Sequence, residues 1–210
     1  MSMRKKNKYV CYYCGSKNTG FYKTIDNFSL FKCKNCLLLQ TYLQGLSLEK
    51  INKSKYSSKY LDNYENILSK RLNNNFRKRI KKIDKLVNGG RILDIGCSTG
   101  LFLQTLKQYS NNSWEVYGID INKEAIDKAN VKSIGNFFNK SLLDTQFSVN
   151  YFNCITCFDI LEHDIDLYKT IKIIYKILNK NGVILVQVPN NKSLLASITG
   201  NQWDWWCVPD

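Results

Sequence analysis

One stretch, Arg91 to Leu103, limits what this chain can fold into more than any other. Ile92, Leu93 and Ile95 form a short apolar run, the pattern of a strand buried in a parallel sheet. Gly96 and Gly100 bracket a tight turn, and Leu101, Phe102, Leu103 and Leu106 begin a helix. Ser98 or Thr99 is the predicted cap of that helix. A strand, a glycine turn and a helix make the first half of a nucleotide-binding crossover unit. Glycine serves there because the backbone must take a positive φ or approach a ligand closely.

The charge around the turn narrows the ligand. A diphosphate-binding turn points bare backbone N–H groups at its anion. Asp94 stands just before this turn, where a carboxylate repels phosphate but suits an amine or a cationic sulfur. Asp120 closes the next apolar strand, Trp114 to Ile119, at the distance beyond the glycines where an acid binds ribose hydroxyls. Glycine turn, amine-facing acid and ribose-facing acid together suggest S-adenosylmethionine rather than a dinucleotide.

Leu93 to Gly100, Tyr117 to Asp120 and Phe158 to His163 make the chain resemble the class I S-adenosylmethionine-dependent methyltransferases. The resemblance implies an α/β fold with a Rossmann-like sheet. It implies a cofactor site at Asp94, Gly96, Cys97, Ser98, Gly100, Asp120, Ile121, Ser141, Leu142, Phe158 and Asp159. Three positions depart from the family pattern. Ser98 stands where glycine is common, which tightens the backbone approach. Ser141 stands at the adenine edge, where an acid often accepts from the adenine amine. Asn153 stands where aspartate is common. The family fold ends in an antiparallel hairpin after its fifth strand, and Asp210 follows soon after the apolar run Val183 to Val188. The expectation is a sheet lacking that hairpin, either in a fragment or with an uncovered edge strand. A Rossmann-type dehydrogenase and a binding domain without turnover are the alternatives.

A second motif lies upstream. Cys11, Cys14, Cys33 and Cys36 form two C-x2-C knuckles separated by 18 residues, the spacing of a zinc ribbon. Gly15 lets the chain turn around the metal, and Phe21, Tyr22, Ile25, Phe28, Leu30 and Phe31 supply strands. A segment this short buries too little surface to fold alone, so the metal contributes folding energy. Four thiolates leave no position for water, so the predicted Zn2+ is structural.

The chain has 210 residues, enough for one medium domain and a small module. The expected division is a ribbon over 1–44, a linker and amphipathic lead-in helix over 45–90, and the cofactor-binding domain over 91–210. The linker proper is 45–63, and the helix runs from about Tyr64 to Val87 with Ile67, Leu68, Leu72, Phe76, Ile80 and Ile83 on one face. Its cations, among them Arg77, Lys78, Arg79, Lys81, Lys82 and Lys85, read as a solvated face. The net charge of +14 invites a polyanion partner, but nearly all of it is lysine, with five arginines, alongside much asparagine. That joint excess reads as compositional drift, because arginine is the better residue for bidentate phosphate contacts. Eight cysteines without a secretory signal point to a reducing, cytoplasmic setting. No apolar run is long enough to span a membrane.

After the first strand, α/β alternation continues through a helix capped by Asn122, a weak strand near Val131 to Phe138, and a strand from Tyr151 to Phe158. Cys154 and Cys157 lie inside that strand and face opposite sides as packing residues. A helix over Asp166–Leu178 and the strand Val183–Val188 follow. His163 is the single histidine and sits just beyond a strand end, where it is a candidate general base as well as a structural residue. Trp203, Trp205 and Trp206 form an aromatic tail, a lid or a stacking surface.

The expected function is methyl transfer to a small acceptor. A ribbon joined to this domain resembles bacterial methyltransferases of sugar and cell-surface polysaccharide pathways, which implies a carbohydrate acceptor. An RNA base methyltransferase is the alternative, with nucleic acid a disfavoured partner. Cys36 fills a slot that histidine takes in ribbon-bearing enzymes of that kind. Phe158 to Leu161 lack the proline-aromatic signature of base-amino methylation, and no Pro-Cys pair is present for cytosine chemistry. A cofactor-binding non-enzyme is the third reading.

Overall fold

The computed structural model describes residues 9–42, 74–164 and 166–206. The predicted linker, the first part of the lead-in helix and the last residues of the tail lie outside them. The chain divides into two compact units.

One unit comprises Met1–Asn52, Glu162–Tyr168 and Pro189–Asp210. Its sheet is an antiparallel meander of β1 (Thr19–Ile25), β2 (Phe28–Cys33) and β3 (Leu39–Thr41). Asp26 and Asn27 join β1 to β2 with positive φ at both positions, 45° and 69°. That is the two-residue turn whose twist matches a hairpin, and Asp and Asn tolerate it best after glycine. Phe31 packs against Tyr9, with ring centroids 4.0 Å apart, over a core of Ile25, Leu30, Cys11 and Cys33. In the same unit the short helix over Leu194–Thr199, capped by Ser193, leads to Trp206. The Lys23 ammonium of β1 lies 3.8 Å from the Trp206 ring and donates to Asn201 at 3.1 Å.

The other unit comprises Lys53–Leu161 and Lys169–Val188. Helix α1 covers 74–86 among the described residues. It is followed by β4 (Gly90–Ile95), α2 (Leu101–Tyr109), β5 (Trp114–Asp120), α3 (Lys123–Val131) and β6 (Asn136–Asn139). Then come β7 (Phe152–Phe158), α4 (Leu167–Ile177) and β8 (Leu178–Gln187). The five strands of this unit are all parallel in the order β6-β5-β4-β7-β8, with β4 central. The chain moves outward from β4 to β6, then returns to the other side of β4. That reversal is the switch point where open α/β sheets bind ligands.

Strand alternation divides the core into two layers. Ile92, Val116, Phe137 and Cys154 pack with Phe76, Ile80 and Ile83 of α1 and with Phe102, Leu103, Leu106 and Ile126. Leu93, Ile95, Tyr117, Ile119, Ile155 and Cys157 pack with Ile174 and Ile177 of α4. Cys154 and Cys157 therefore face opposite layers, as residues three apart in a strand must. The fold is the Rossmann-like α/β architecture that the sequence led us to expect.

Local details differ from expectation. Neither Ser98 nor Thr99 caps α2; Gly100 stands at the N-cap with φ 74° and no side-chain cap bond. Asn122 does cap α3, accepting from the Ala125 N–H at 3.2 Å. The weak strand is only Asn136–Asn139, because α3 runs on through Val131. β8 starts at Leu178, directly after α4, with a register shift opposite Phe152 and Cys154. Asn153 accepts the Arg91 N–H at 2.9 Å and so anchors the start of β4. Among the described residues, no helix is long and apolar enough to cross a membrane.

Candidate cofactor site and cysteine cluster

The carboxyl ends of β5, β4 and β7 lie side by side, since Ile95 pairs with Ile119 on one side and Cys157 on the other. This brings Asp94, the turn Gly96–Gly100, Asp120, Ile121, Phe158 and Asp159 to one sheet edge. Gly96 has φ 73°, and a Cβ there would lie 2.1 Å from Ile160 Cδ1. Chain reversal and close packing on the residue after Asp159 both demand glycine. Ser98 takes φ 49°, so it occupies the left-handed region where the family prefers glycine.

The amides of the turn are spent inside the protein. Those of Gly96 and Cys97 donate to the Ile119 carbonyl at 2.8 and 3.0 Å, and that of Gly100 to Cys97 at 2.9 Å. The Ser98 amide donates to Asp120 Oδ2 at 2.9 Å. Four turn amides are therefore already committed, which disfavours an anionic diphosphate.

Two acids border the turn instead. Asp94 is 4 % exposed and accepts from the Thr156 hydroxyl at 2.6 Å. Burial pushes its carboxyl up to about 7, against the opposing pull of Thr156 and the Arg79 charge, while Asp120 adds to the rise. Asp120 accepts from Ser98 and from the Asn122 N–H at 2.8 Å, and burial raises its pKa against these bonds. Thr99 is fully buried and its Oγ1 has no hydrogen-bond partner among the described residues. A buried and a half-buried acid, an orphan hydroxyl and a glycine cradle fit a cationic ligand with ribose-like hydroxyls better than a phosphorylated one.

The remaining predicted residues are placed as follows. Cys97 turns its thiol into the core, where a Cβ on Gly118 would lie 2.7 Å from its sulfur. Ile121 is exposed and Leu142 buried. Ser141 precedes a 3-10 turn, Leu142–Asp144, and its hydroxyl is held by Asp144 at 2.5 Å. His163 ends the 3-10 turn Leu161–His163 and belongs to the unit that carries the cysteines.

Sequence reading missed Arg79 and Gln187. Arg79 leaves the solvated face assigned to its helix. Its guanidinium lies 4.1 Å from the Phe158 ring and donates to Gln187, which in turn donates to both oxygens of Asp159 at 3.1 and 2.8 Å. Phe158 also meets Phe102 edge-on at 5.0 Å. The other helix cations, Arg77, Lys78, Lys81, Lys82 and Lys85, are exposed as expected.

In the other unit, the thiols of Cys11, Cys14, Cys33 and Cys36 all lie within 4.8 Å of one another. Cys11 and Cys36 are 3.5 Å apart, and Cys14 and Cys33 are 3.6 Å apart, with no disulfide. Tetrahedral zinc with bonds of about 2.3 Å needs sulfurs about 3.8 Å apart, close to these separations. The two knuckles share one geometry: Gly15 and Leu37 have φ 67° and 66°. Their amides bond back to Cys11 and Cys33 at 2.9 and 3.1 Å. Only glycine was readable as the turn residue; Leu37 accepts the same conformation at some cost.

A model of the methyltransferase domain family matches residues 64–210, and the chain belongs to that family. It is 26 % identical over 133 residues to the demethylmenaquinone methyltransferase of Staphylococcus saprophyticus, covering 61 % of this chain and 57 % of that one. It is 25 % identical over 130 residues to a ubiquinone biosynthesis O-methyltransferase of Vibrio cholerae, covering 58 % and 52 %. The chain thus spans about half the length of the curated relatives it matches. Among solved structures, the plantazolicin methyltransferase BpumL, in complex with a monoazolic desmethylPZN analogue and SAH, superposes with a TM-score of 0.59 at 18 % identity, covering 73 % of this chain and 61 % of that one. A Methanococcus maripaludis chain assigned as an S-adenosyl-L-methionine-dependent methyltransferase gives 0.55 at 15 %, covering 62 % and 61 %. These likenesses establish the class I methyltransferase fold.

Proposed function

We propose that the protein transfers the methyl group of S-adenosylmethionine to a small-molecule acceptor. The observation that carries this reading is the pair of acids, Asp94 buried and Asp120 half-buried, beside a glycine turn whose amides are already bonded. When bound, the cofactor supplies an electrophilic methyl on a cationic sulfur. In this reading Asp94 holds the ammonium of the amino-acid portion and Asp120 the ribose hydroxyls. Gly96, Cys97, Ser98 and Gly100 contribute backbone, and Ile121, Leu142 and Phe158 apolar walls. Ser141 and Asp159 contribute polar edges. His163, five residues beyond β7 in the chain, is our candidate for the general base that takes the acceptor proton. Cys11, Cys14, Cys33 and Cys36 hold a structural Zn2+.

The finer reading is a sugar or polysaccharide precursor as acceptor, supported by the pairing of a four-cysteine ribbon with this domain. The quinone-related names of two relatives support a phenolic acceptor as the competing assignment. Calorimetry with S-adenosylhomocysteine tests the cofactor, and transfer of labelled methyl to nucleotide sugars and to demethylated quinols tests the acceptor. Asp94→Asn is expected to weaken S-adenosylhomocysteine by about tenfold or more, as loss of a charge-assisted contact does. A wild-type chain that does not bind S-adenosylhomocysteine overturns the reading.

A further inference from the structure

We infer that Gln187 is a positioning residue of the cofactor site: its side-chain amide joins Arg79 to Asp159 and fixes both charged groups at the carboxyl edge of the sheet. This rests on the cofactor reading above. The three residues come from α1, from the end of β8 and from the residue after β7. The β7–β8 register sets Gln187 opposite Phe158. From there its Nε2 donates to both Asp159 oxygens, and its Oε1 accepts from Arg79. The Gln187 carbonyl also accepts the Asp159 N–H at 2.9 Å.

A second observation marks the same place. Asp159 sits at φ 55°, in the left-handed region, which aspartate tolerates better than most residues with a Cβ. Its backbone N–H and both carboxyl oxygens are bonded in that conformation. Here the holding is done by one residue, through its backbone and its amide.

The choice of an amide has a physical reason. Glutamate at 187 would bond Arg79 but repel Asp159, and an apolar residue would bond neither. With nothing between them, the guanidinium and the carboxylate would pair with each other, and the field of Arg79 would be spent locally. The neutral amide keeps them apart. Arg79 then stays stacked on Phe158 with its charge acting on Asp94. The groups bearing on Asp94 are Arg79, the Thr156 hydroxyl and the opposing Asp120. If Gln187 lets go, Asp94 loses its favourable cation and is harder to ionise, so it holds an ammonium less well near neutrality.

The test is calorimetry of S-adenosylhomocysteine binding to wild type, Gln187→Leu, Arg79→Leu and the double variant, below and above neutral pH. Gln187→Leu is expected to weaken binding about tenfold below neutrality and much less above it, where Asp94 ionises regardless. The double variant is expected to bind no worse than Arg79→Leu alone, because the amide acts through the arginine. Equal losses at both pH values, fully additive losses, or affinity within about twofold of wild type overturn the inference. Where Gln187→Leu fails to fold, Gln187→Glu preserves volume and the bond to Arg79 but offsets its charge and repels Asp159; it is expected to weaken binding, and unchanged affinity overturns the inference. Wild type that binds no S-adenosylhomocysteine defeats the cofactor reading and this one together, whereas wild type that binds beside an unaffected Gln187→Leu defeats this one alone.

Discussion

Asp94 carries the largest consequence of any single residue here. Its folded pKa, about 7, lies above its ordinary value of 3.8. Below the ordinary value both states are protonated and the group is neutral in stability. As pH rises between the two values, the unfolded chain loses its proton first, so this residue destabilises the free fold increasingly up to about pH 7. A cationic ligand reverses the balance by favouring the carboxylate. Binding of S-adenosylmethionine is therefore expected to release a proton near pH 6–7 and to tighten toward pH 8, measurable by calorimetry in buffers of different ionisation enthalpy. Gly96→Ala makes a steric test: the positive φ and the 2.1 Å approach to Ile160 should together cost about 2–4 kcal/mol in chemical denaturation. Both residues were readable, because a carboxylate and a glycine pair at a strand end announce themselves locally. Thr156 was not: it reaches Asp94 across 62 residues of chain.

At the scale of elements, propensity and periodicity were good guides wherever the deciding contacts are local. Asn122 caps α3 through its own third neighbour, and Asn122→Ala should lower stability by about 1 kcal/mol in a denaturant titration. The cap of α2 was misread because Ser98 is used differently: its amide is pinned by Asp120, 22 residues on, and Gly100 takes the left-handed position before the helix. The basic helix α1 divides in the same way. Lys78 and Lys81 are solvated as their spacing predicts, and Arg77, also exposed, lies over the Tyr109 ring at the surface. Arg79 turns to an aromatic ring and an amide on strands β7 and β8, and no helical period reports that.

For the molecule as a whole, the cysteine cluster and the parallel sheet fall in separate compact units, and the cysteine unit also gathers Glu162–Tyr168 and Pro189–Asp210. In that unit Trp206 is bound to Lys23 of the ribbon hairpin. Removing zinc with a chelator is therefore expected to red-shift tryptophan fluorescence, as the hairpin loosens and exposes Trp206. Binding of S-adenosylhomocysteine by the sheet unit should persist, since none of its proposed ligands lies in the cysteine unit. Fluorescence that does not move on chelation would contradict the metal assignment.

The sequence by itself determined the sheet, the glycine turn flanked by Asp94 and Asp120, and the four clustered thiols. Each of these is written in short-range spacing: alternation along a strand, a turn that only small residues can make, and cysteines three residues apart. Only the tertiary structure decided how that turn is used. Its amides are consumed by Ile119, Cys97 and Asp120, and Asp94 is tuned by Thr156 and Arg79, with Gln187 holding Arg79 in place. Those partners are brought together by parallel strand pairing and by a helix from the opposite end of the domain. Burial and Coulomb interaction depend on distance in space, and separation along the chain carries no record of it.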